Sequence, residues 1–300
     1  MDGLTVLCDI SAALTHPAWP RYNPLRTQPN SYRHSWTGSP TMALLDGRRG
    51  LIFGIANDRS IAFHIGKAFL AEGAACGFPY LPGEKNERRV RKAFEDAGLA
   101  DQWLVPCDAS SDSDLDSLLK ATRQRFDTID FLIHSIAFAD RTYLKPGKFA
   151  ETPRDVFGQA LDISAYSLVA MTQRAKQIMP KGGSIVAMTY YGSEKAVPGY
   201  NVMGVAKAAL EASARYLAAE LGEFGIRVNT ISAGPIRTLS SMAVGGIDEI
   251  FDWVTRKAPL RRNIDAGEVG KAAIYLVSDL SSGMTGENIH VDAGYSIVGL

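Results

Sequence analysis

The sequence predicts a single α/β domain built as a doubly wound, parallel seven-stranded sheet with helices on both faces. Three observations predict it. Short apolar runs alternate with helical stretches from Leu45 onward. The runs are apolar at successive positions rather than alternate ones, so both faces of each strand must be covered. A chain of 300 residues with 46% apolar and 21% charged content can bury one large core. Strict β–α alternation with such strands is the Rossmann arrangement.

Residues 1–41 stand apart from this pattern. They hold Pro17, Pro20, Pro24, Pro29 and Pro40, no sustained apolar period, and only Asp2 and Asp9 as acids. That composition describes a tail and not a domain. Asp2 replaces the basic start of a secretory leader and Asp9 interrupts the only apolar stretch, so a signal peptide is disfavoured. A transit peptide fits poorly because the arginines begin only at Arg21. The natural start is expected at Met42 and the folded domain over 42–300.

The first strand is expected in "RGLIFGIA", before a helix on which Ile61, Ile65 and Phe69 recur at i, i+4 and i+8 and which ends at Gly73. "GAACGFPY", "WLVPCDA", "DFLIHSIAFA", "GSIVAMTYY", "RVNTISAGPI" and "NIHVDAG" supply the other six. Pro79 is tolerable near a strand end, where its missing N–H is not needed. Ligands in such sheets sit beyond the carboxyl ends of the strands, so each strand end is read for chemistry.

After the first strand, Gly54 supplies a tight turn, Ser60 can cap the next helix, and Ile61 opens it, followed by small Ala62. A pyrophosphate can then approach the amide-rich helix start. The loop departs from G-x-G-x-x-G, and an ordinary strand-to-helix turn is the competing reading. After the second strand no acid holds a ribose hydroxyl; Glu84 is the nearest, followed by Lys85, Arg88 and Arg89. The choice leans to NADH, with NADPH open. After the third, Asp108, with Ala109 beside it, either accepts from an adenine amino group or caps a helix. Ser135 and Ile136 in "HSIAFA" offer small and apolar groups to the nicotinamide side and Ala139 to the substrate, with His134 a packed strand residue. After the sixth, Ile236 lines the pocket and Thr238 offers a hydroxyl to the carboxamide.

Bulk properties exclude other classes. Lysine plus arginine equals aspartate plus glutamate at 32 each, so no net field recruits nucleic acid or a membrane surface. The three cysteines show no short spacing and the five histidines no ligand cluster, which points to a reduced, cytoplasmic protein without a metal. No apolar run approaches the ~20 residues of a membrane span.

The runs "HSIAFA", "YYGSEKAVPGYNVMGVAKAALE", "RVNTISAGPIRTL" and "SDLSSGMTGENIHVDAGYSI" together resemble the FabI-type enoyl-acyl-carrier-protein reductases, a divergent branch of the short-chain dehydrogenases. The resemblance covers residues 43 to 300. It implies NAD(P)H-dependent reduction of a trans-2-enoyl thioester on acyl carrier protein in fatty acid biosynthesis, and a homotetramer. It also implies that Tyr190 is a second tyrosine at the substrate. Ala137 stands where the family's loop usually has glycine, and Leu81 where many members have glutamine.

The residues themselves bear on the reaction. Most short-chain dehydrogenases place the tyrosine four before the lysine, a position held here by Met203, which disfavours a ketone reductase. Tyr200 lies seven before Lys207, two turns away on one face if the stretch is helical, and so about 4.5 Å further along the axis. Hydride lands on the β-carbon of an enoyl thioester while charge collects on the more distant oxygen, which needs such a shift. Tyr200 is therefore assigned to that oxygen and Lys207 to the nicotinamide ribose; Tyr191 is read as structural. Residues 238 to 260, with Gly245 and Gly246 and an apolar helix face, read either as a mobile lid over an acyl chain or as an ordinary surface helix, and the resemblance implies the lid. Arg256, Lys257, Arg261 and Arg262 either dock an acidic carrier or form a solvated face. A ketone or alcohol dehydrogenase and a silent dinucleotide-binding regulator remain the alternatives; the latter would be expected to lose Tyr200 or Lys207.

Overall fold

Both-face-apolar strands must be sandwiched, and they are. The computed structural model of the chain describes residues 43–299; the expectations for residues 1–41 and Met42 lie outside the described residues. Strands β1 (Arg49–Phe53), β2 (Ala75–Tyr80), β3 (Trp103–Pro106), β4 (Phe131–His134), β5 (Gly183–Thr189), β6 (Ile226–Ala233) and β7 (Asn288–Val291) form one sheet. Its order is β3-β2-β1-β4-β5-β6-β7, with every neighbouring pair parallel. The order reverses between β1 and β4, which opens a crevice at their carboxyl ends.

The strand period of two divides the core. Ile52, Phe131, Ile133, Val186 and Ile231 face one cluster, which receives α1 (Ile61–Ala71), α2 (Glu84–Asp96), α7 (Ile247–Lys257) and α8 (Ala266–Val277). Leu51, Phe53, Leu132, Ile185 and Val228 face the other. That side receives α3 (Asp112–Phe126), α5 (Ser167–Ala175) and α6 (Val202–Leu221). Each fully buried Phe, Ile or Leu contributes about 1.5–3 kcal/mol relative to exposure, so helices on both faces follow from composition.

Helix α1 begins and ends as its apolar period requires, with Ile65 and Phe69 fully buried. Pro79 is accommodated because the β1 register on β2 ends at Gly77. Helix α4 (Arg154–Leu161) runs through a π turn at Asp162–Tyr166 into α5. The π turn places the fully buried Ser164, whose hydroxyl accepts from the Phe138 N–H (2.9 Å) and donates to the Phe138 carbonyl (3.0 Å). The loop after β4 is thus pinned where it borders the crevice.

A third, smaller cluster lies beneath the crevice, where Ala139, Leu144, Ala160, Val202, Met203 and Ala206 pack against Tyr200. No described helix is long and apolar enough to cross a membrane.

Candidate active site

The crevice at the β1/β4 reversal holds a cavity of about 340 Å³. Its floor is set by Gly54, whose φ of 103° ends β1 and whose missing side chain permits contact with the chain after β4. A Cβ there would lie 2.1 Å from the Ser135 carbonyl oxygen. Ser60 and Ile61 line one end, as expected. Ser60 does not cap α1 as expected: its hydroxyl turns back and accepts from the Ala56 N–H (3.0 Å) and the Asn57 N–H (3.1 Å). The start of α1 is left without a side-chain cap, which suits it to an anion such as a pyrophosphate.

Ser135, Ile136 and Ala139 after β4 line the cavity, as do Tyr190 after β5 and Ile236 and Thr238 after β6. Thr238 Oγ1 accepts from the Ser241 N–H (3.0 Å), and Ser241 Oγ accepts from the Thr238 N–H (2.9 Å). The Thr238 O–H remains a donor. Asp108 and Ala109 are not brought into the cavity. Asp108 Oδ1 accepts from the Ser110 N–H (2.9 Å) and hydroxyl (2.7 Å), which closes a turn, and Ser111 caps α3 instead. His134 is the packed strand residue expected. Its Nε2 meets Ser167 Oγ at 2.8 Å, and burial holds its pKa down to about 3.

Lys207 lies buried on α6, where Nζ donates to the carbonyls of Met188 (2.8 Å) and Ile136 (3.2 Å). One ammonium proton is left for the cavity it lines. Burial pulls its pKa down to about 8, opposed by the charge of Glu211 one turn on. Burial pushes the Tyr200 and Tyr190 hydroxyls well above the ordinary phenol range, so both stay protonated and can act as donors. Their rings meet edge to face at 4.9 Å. The Tyr190 hydroxyl is buried with no hydrogen-bond partner among the described residues. Tyr191 turns away to stack edge-on with Tyr295 at 5.3 Å, consistent with a structural residue.

The helical spacing of Tyr200 and Lys207 is not what brings them together. Helix α6 starts at Val202, and Asn201 before it has φ 46° and ψ −123°, so Tyr200 occupies a turn. Tyr200 still lines the cavity beside Met203, which is buried as a packing residue. The segment read as a lid forms a wall through Leu239, Val244, Ile247 and Ile250, and α7 is tied down by Arg237, which pairs with Asp248 at 2.8 Å and lies over Phe251. Sequence reading missed Arg141 and Leu144 in the lining. It also missed Glu211, whose carboxylate accepts from Thr189 (2.5 Å) and Ser193 on either side of Tyr190. A glutamate one turn after the lysine was the available signal.

A Rossmann sheet, an uncapped helix start at its reversal point, and a buried lysine with two protonated tyrosines beside it describe a nicotinamide-dependent oxidoreductase of the short-chain dehydrogenase class. A family model described as Enoyl-(Acyl carrier protein) reductase matches residues 54–296, and the chain belongs to that family. It is 49% identical over 261 residues to the enoyl-acyl-carrier-protein reductase (NADH) FabI of Nostoc sp., which is 86% of this chain and 100% of that relative. It is also 49% identical over 257 residues to the NADPH-specified FabI of Staphylococcus aureus, again 86% and 100%. The crystal structure of the Bacillus cereus enoyl-acyl carrier protein reductase with NADP+ and indole naphthyridinone matches with a TM-score of 0.83 at 48% identity. That match covers 86% of this chain and 100% of that one.

Proposed function

We propose that the chain reduces the trans-2 double bond of enoyl thioesters on acyl carrier protein, with NADH as the expected donor and NADPH as the alternative. The observation that carries this is the tyrosine placement. Tyr200 lines the cavity from a turn seven residues before Lys207, and the position four before it is the buried Met203.

A nicotinamide dinucleotide, when bound, would supply hydride to the β-carbon, and the resulting enolate would take a solvent proton at the α-carbon. The chain's residues do the rest. Lys207 holds the nicotinamide ribose with its remaining proton, and the uncapped start of α1, with Gly54 and Ser60 beside it, receives the pyrophosphate. Ser135, Ile136, Ile236 and Thr238 enclose the nicotinamide end. Tyr200 donates to the thioester oxygen as enolate charge develops there; Tyr190 and Ala139 border the acyl group. A phenol whose pKa is raised stays a donor at any physiological pH and never competes as a base.

No acid stands at the end of β2 before Glu84, and Lys85, Arg88 and Arg89 are exposed on α2, so nothing there rejects a 2′-phosphate. The relatives' division between NADH and NADPH matches that openness. Residues 42–300 are read as the catalytic unit: the family model matches 54–296, and a relative matched over its whole length aligns with 86% of this chain. The exposed Tyr166, Val205 and Tyr216, on the π turn and α6, support assembly as a homotetramer. The free, buried Cys76 and Cys107 support a reducing, cytoplasmic setting.

Crotonyl thioester against acetoacetyl thioester, each with NADH and NADPH, tests the reading: rapid turnover of the enoyl substrate alone is expected, and preferred turnover of the keto substrate would overturn it. Within the site, Tyr200→Phe removes one hydrogen bond made in the transition state, so turnover falls by roughly tenfold to a thousandfold with NADH binding intact. Tyr190→Phe costs less and Tyr191→Phe little, whereas Lys207→Ala weakens NADH binding itself. A silent dinucleotide-binding regulator would bind NADH and turn over neither thioester.

A further inference from the structure

Asn201 sits between Tyr200 and the first residue of α6 with φ 46° and ψ −123°, a conformation that L side chains other than glycine rarely adopt. Such backbone costs about 1–3 kcal/mol and persists where its surroundings over-determine it. The surroundings here are explicit. Asn201 Nδ2 donates to the carbonyls of Tyr143 (2.6 Å) and Lys145 (2.8 Å), so both amide protons are used on the loop that follows β4. Leu144, between those two carbonyls, lines the cavity, and its own carbonyl accepts from the Gly245 N–H (2.8 Å) of the lid segment. On the other side, the backbone of the same turn is fastened to α6, with Met203 N–H donating to the Tyr200 carbonyl (3.0 Å) and Gly204 N–H to the Asn201 carbonyl (2.9 Å).

We propose that Asn201 is a positioning residue for the reaction: its amide clamps the Tyr200 turn to the substrate loop and, through Leu144, to the lid, and so sets where the Tyr200 hydroxyl stands. The inference rests on the reading of Tyr200 as the residue that meets the thioester oxygen. The chemistry of the position explains the residue. Glycine accepts the backbone angles but has no amide. Aspartate would set a carboxylate against two carbonyl oxygens, and alanine supplies neither the clamp nor the backbone tolerance. Without the clamp the turn keeps only its backbone bonds and loses its tie to the loop after β4, and relaxation at position 201 swings Tyr200 relative to Lys207. A displacement near 1 Å is enough to cost up to ~100-fold in turnover.

The test uses the full chain with crotonyl thioester and NADH, and compares Asn201→Gly, Asn201→Asp and Tyr200→Phe/Asn201→Gly with wild type and Tyr200→Phe. Asn201→Gly should keep its melting temperature and its NADH dissociation constant while kcat falls roughly tenfold or more. Asn201→Asp should fall further. The double variant should lose little beyond Tyr200→Phe, because a residue that acts through the Tyr200 hydroxyl has no further effect on kcat once that hydroxyl is gone. Wild-type kcat in Asn201→Gly overturns the positioning role, and so do losses that simply multiply in the double variant. Wild-type turnover by Tyr200→Phe alone would instead remove the catalytic reading on which the inference stands.

Discussion

Gly192 sits in the turn after β5, and its missing side chain is occupied space: a Cβ there would lie 2.3 Å from Tyr200 Cδ1 and 2.9 Å from Cε1. Carbon contacts settle at ~3.5–4.0 Å, so in Gly192→Ala the ring must retreat by roughly 1.2–1.7 Å. It cannot do so freely, since Tyr190 stands edge to face against it at 4.9 Å and Met203 packs in the same cluster. The overpacking should cost about 1–3 kcal/mol of stability, which leaves the protein folded. The hydroxyl moves by the same order as the ring, so kcat for the enoyl thioester should fall by about 100-fold. Lys207 and its two carbonyl partners are not in the contact, so NADH affinity should stay within twofold to threefold. Steady-state rates, NADH titration and thermal melts measure the three quantities. Gly222→Ala is the control: it has nothing within 4 Å and α-helical angles, and should leave kcat unchanged. A folded Gly192→Ala with kcat within threefold of wild type would refute the claim that the position of Tyr200 limits the reaction.

Lys207 has its pKa lowered to about 8 by burial, so the free enzyme loses this charge as pH rises through about 8. NADH affinity and kcat/KM for NADH should therefore fall on the alkaline side near that pH, and Glu211→Gln should shift the limb to lower pH because the opposing charge is gone. His134, held down to about 3 against an ordinary 6.5, binds fewer protons folded than unfolded between those values, so stability is lost as pH falls through that window. At pH 5 the loss is about 2 kcal/mol, and the drop in melting temperature from pH 7 to pH 5 should be smaller in His134→Gln. Among the four basic residues near the lid, Arg262 is bound to Glu268 at 2.7 Å and 2.8 Å and Arg261 donates to the Arg256 carbonyl, which leaves Arg256 and Lys257 exposed on α7. Arg256→Glu/Lys257→Glu should raise KM for acyl-carrier-protein thioesters and leave coenzyme A thioesters unchanged; equal KM values for the two would show that these charges do not dock the carrier.

The sequence by itself determined the sheet, its helices and the strand ends that carry the site, because apolar periodicity fixes which faces must be buried and parallel strands must be covered on both sides. It also determined the chemistry available, since a lysine and several tyrosines in one segment and small residues after β4 are properties of composition and order. Tertiary structure decided the orientation of each group. Ser60 looked like a cap and is turned back on its own loop, and Asp108, read as an adenine contact or a helix cap, closes a local turn while Ser111 caps α3, because hydroxyls and carboxylates bond whichever backbone amide the fold brings near. Tyr200 was expected on a helix at two turns from Lys207, yet it stands in a strained turn held by an asparagine amide reaching a loop more than fifty residues away. Periodicity reports only neighbours along the chain, and the clamp, the Gly192 contact and the Glu211 brace join residues whose proximity exists only once the sheet has assembled.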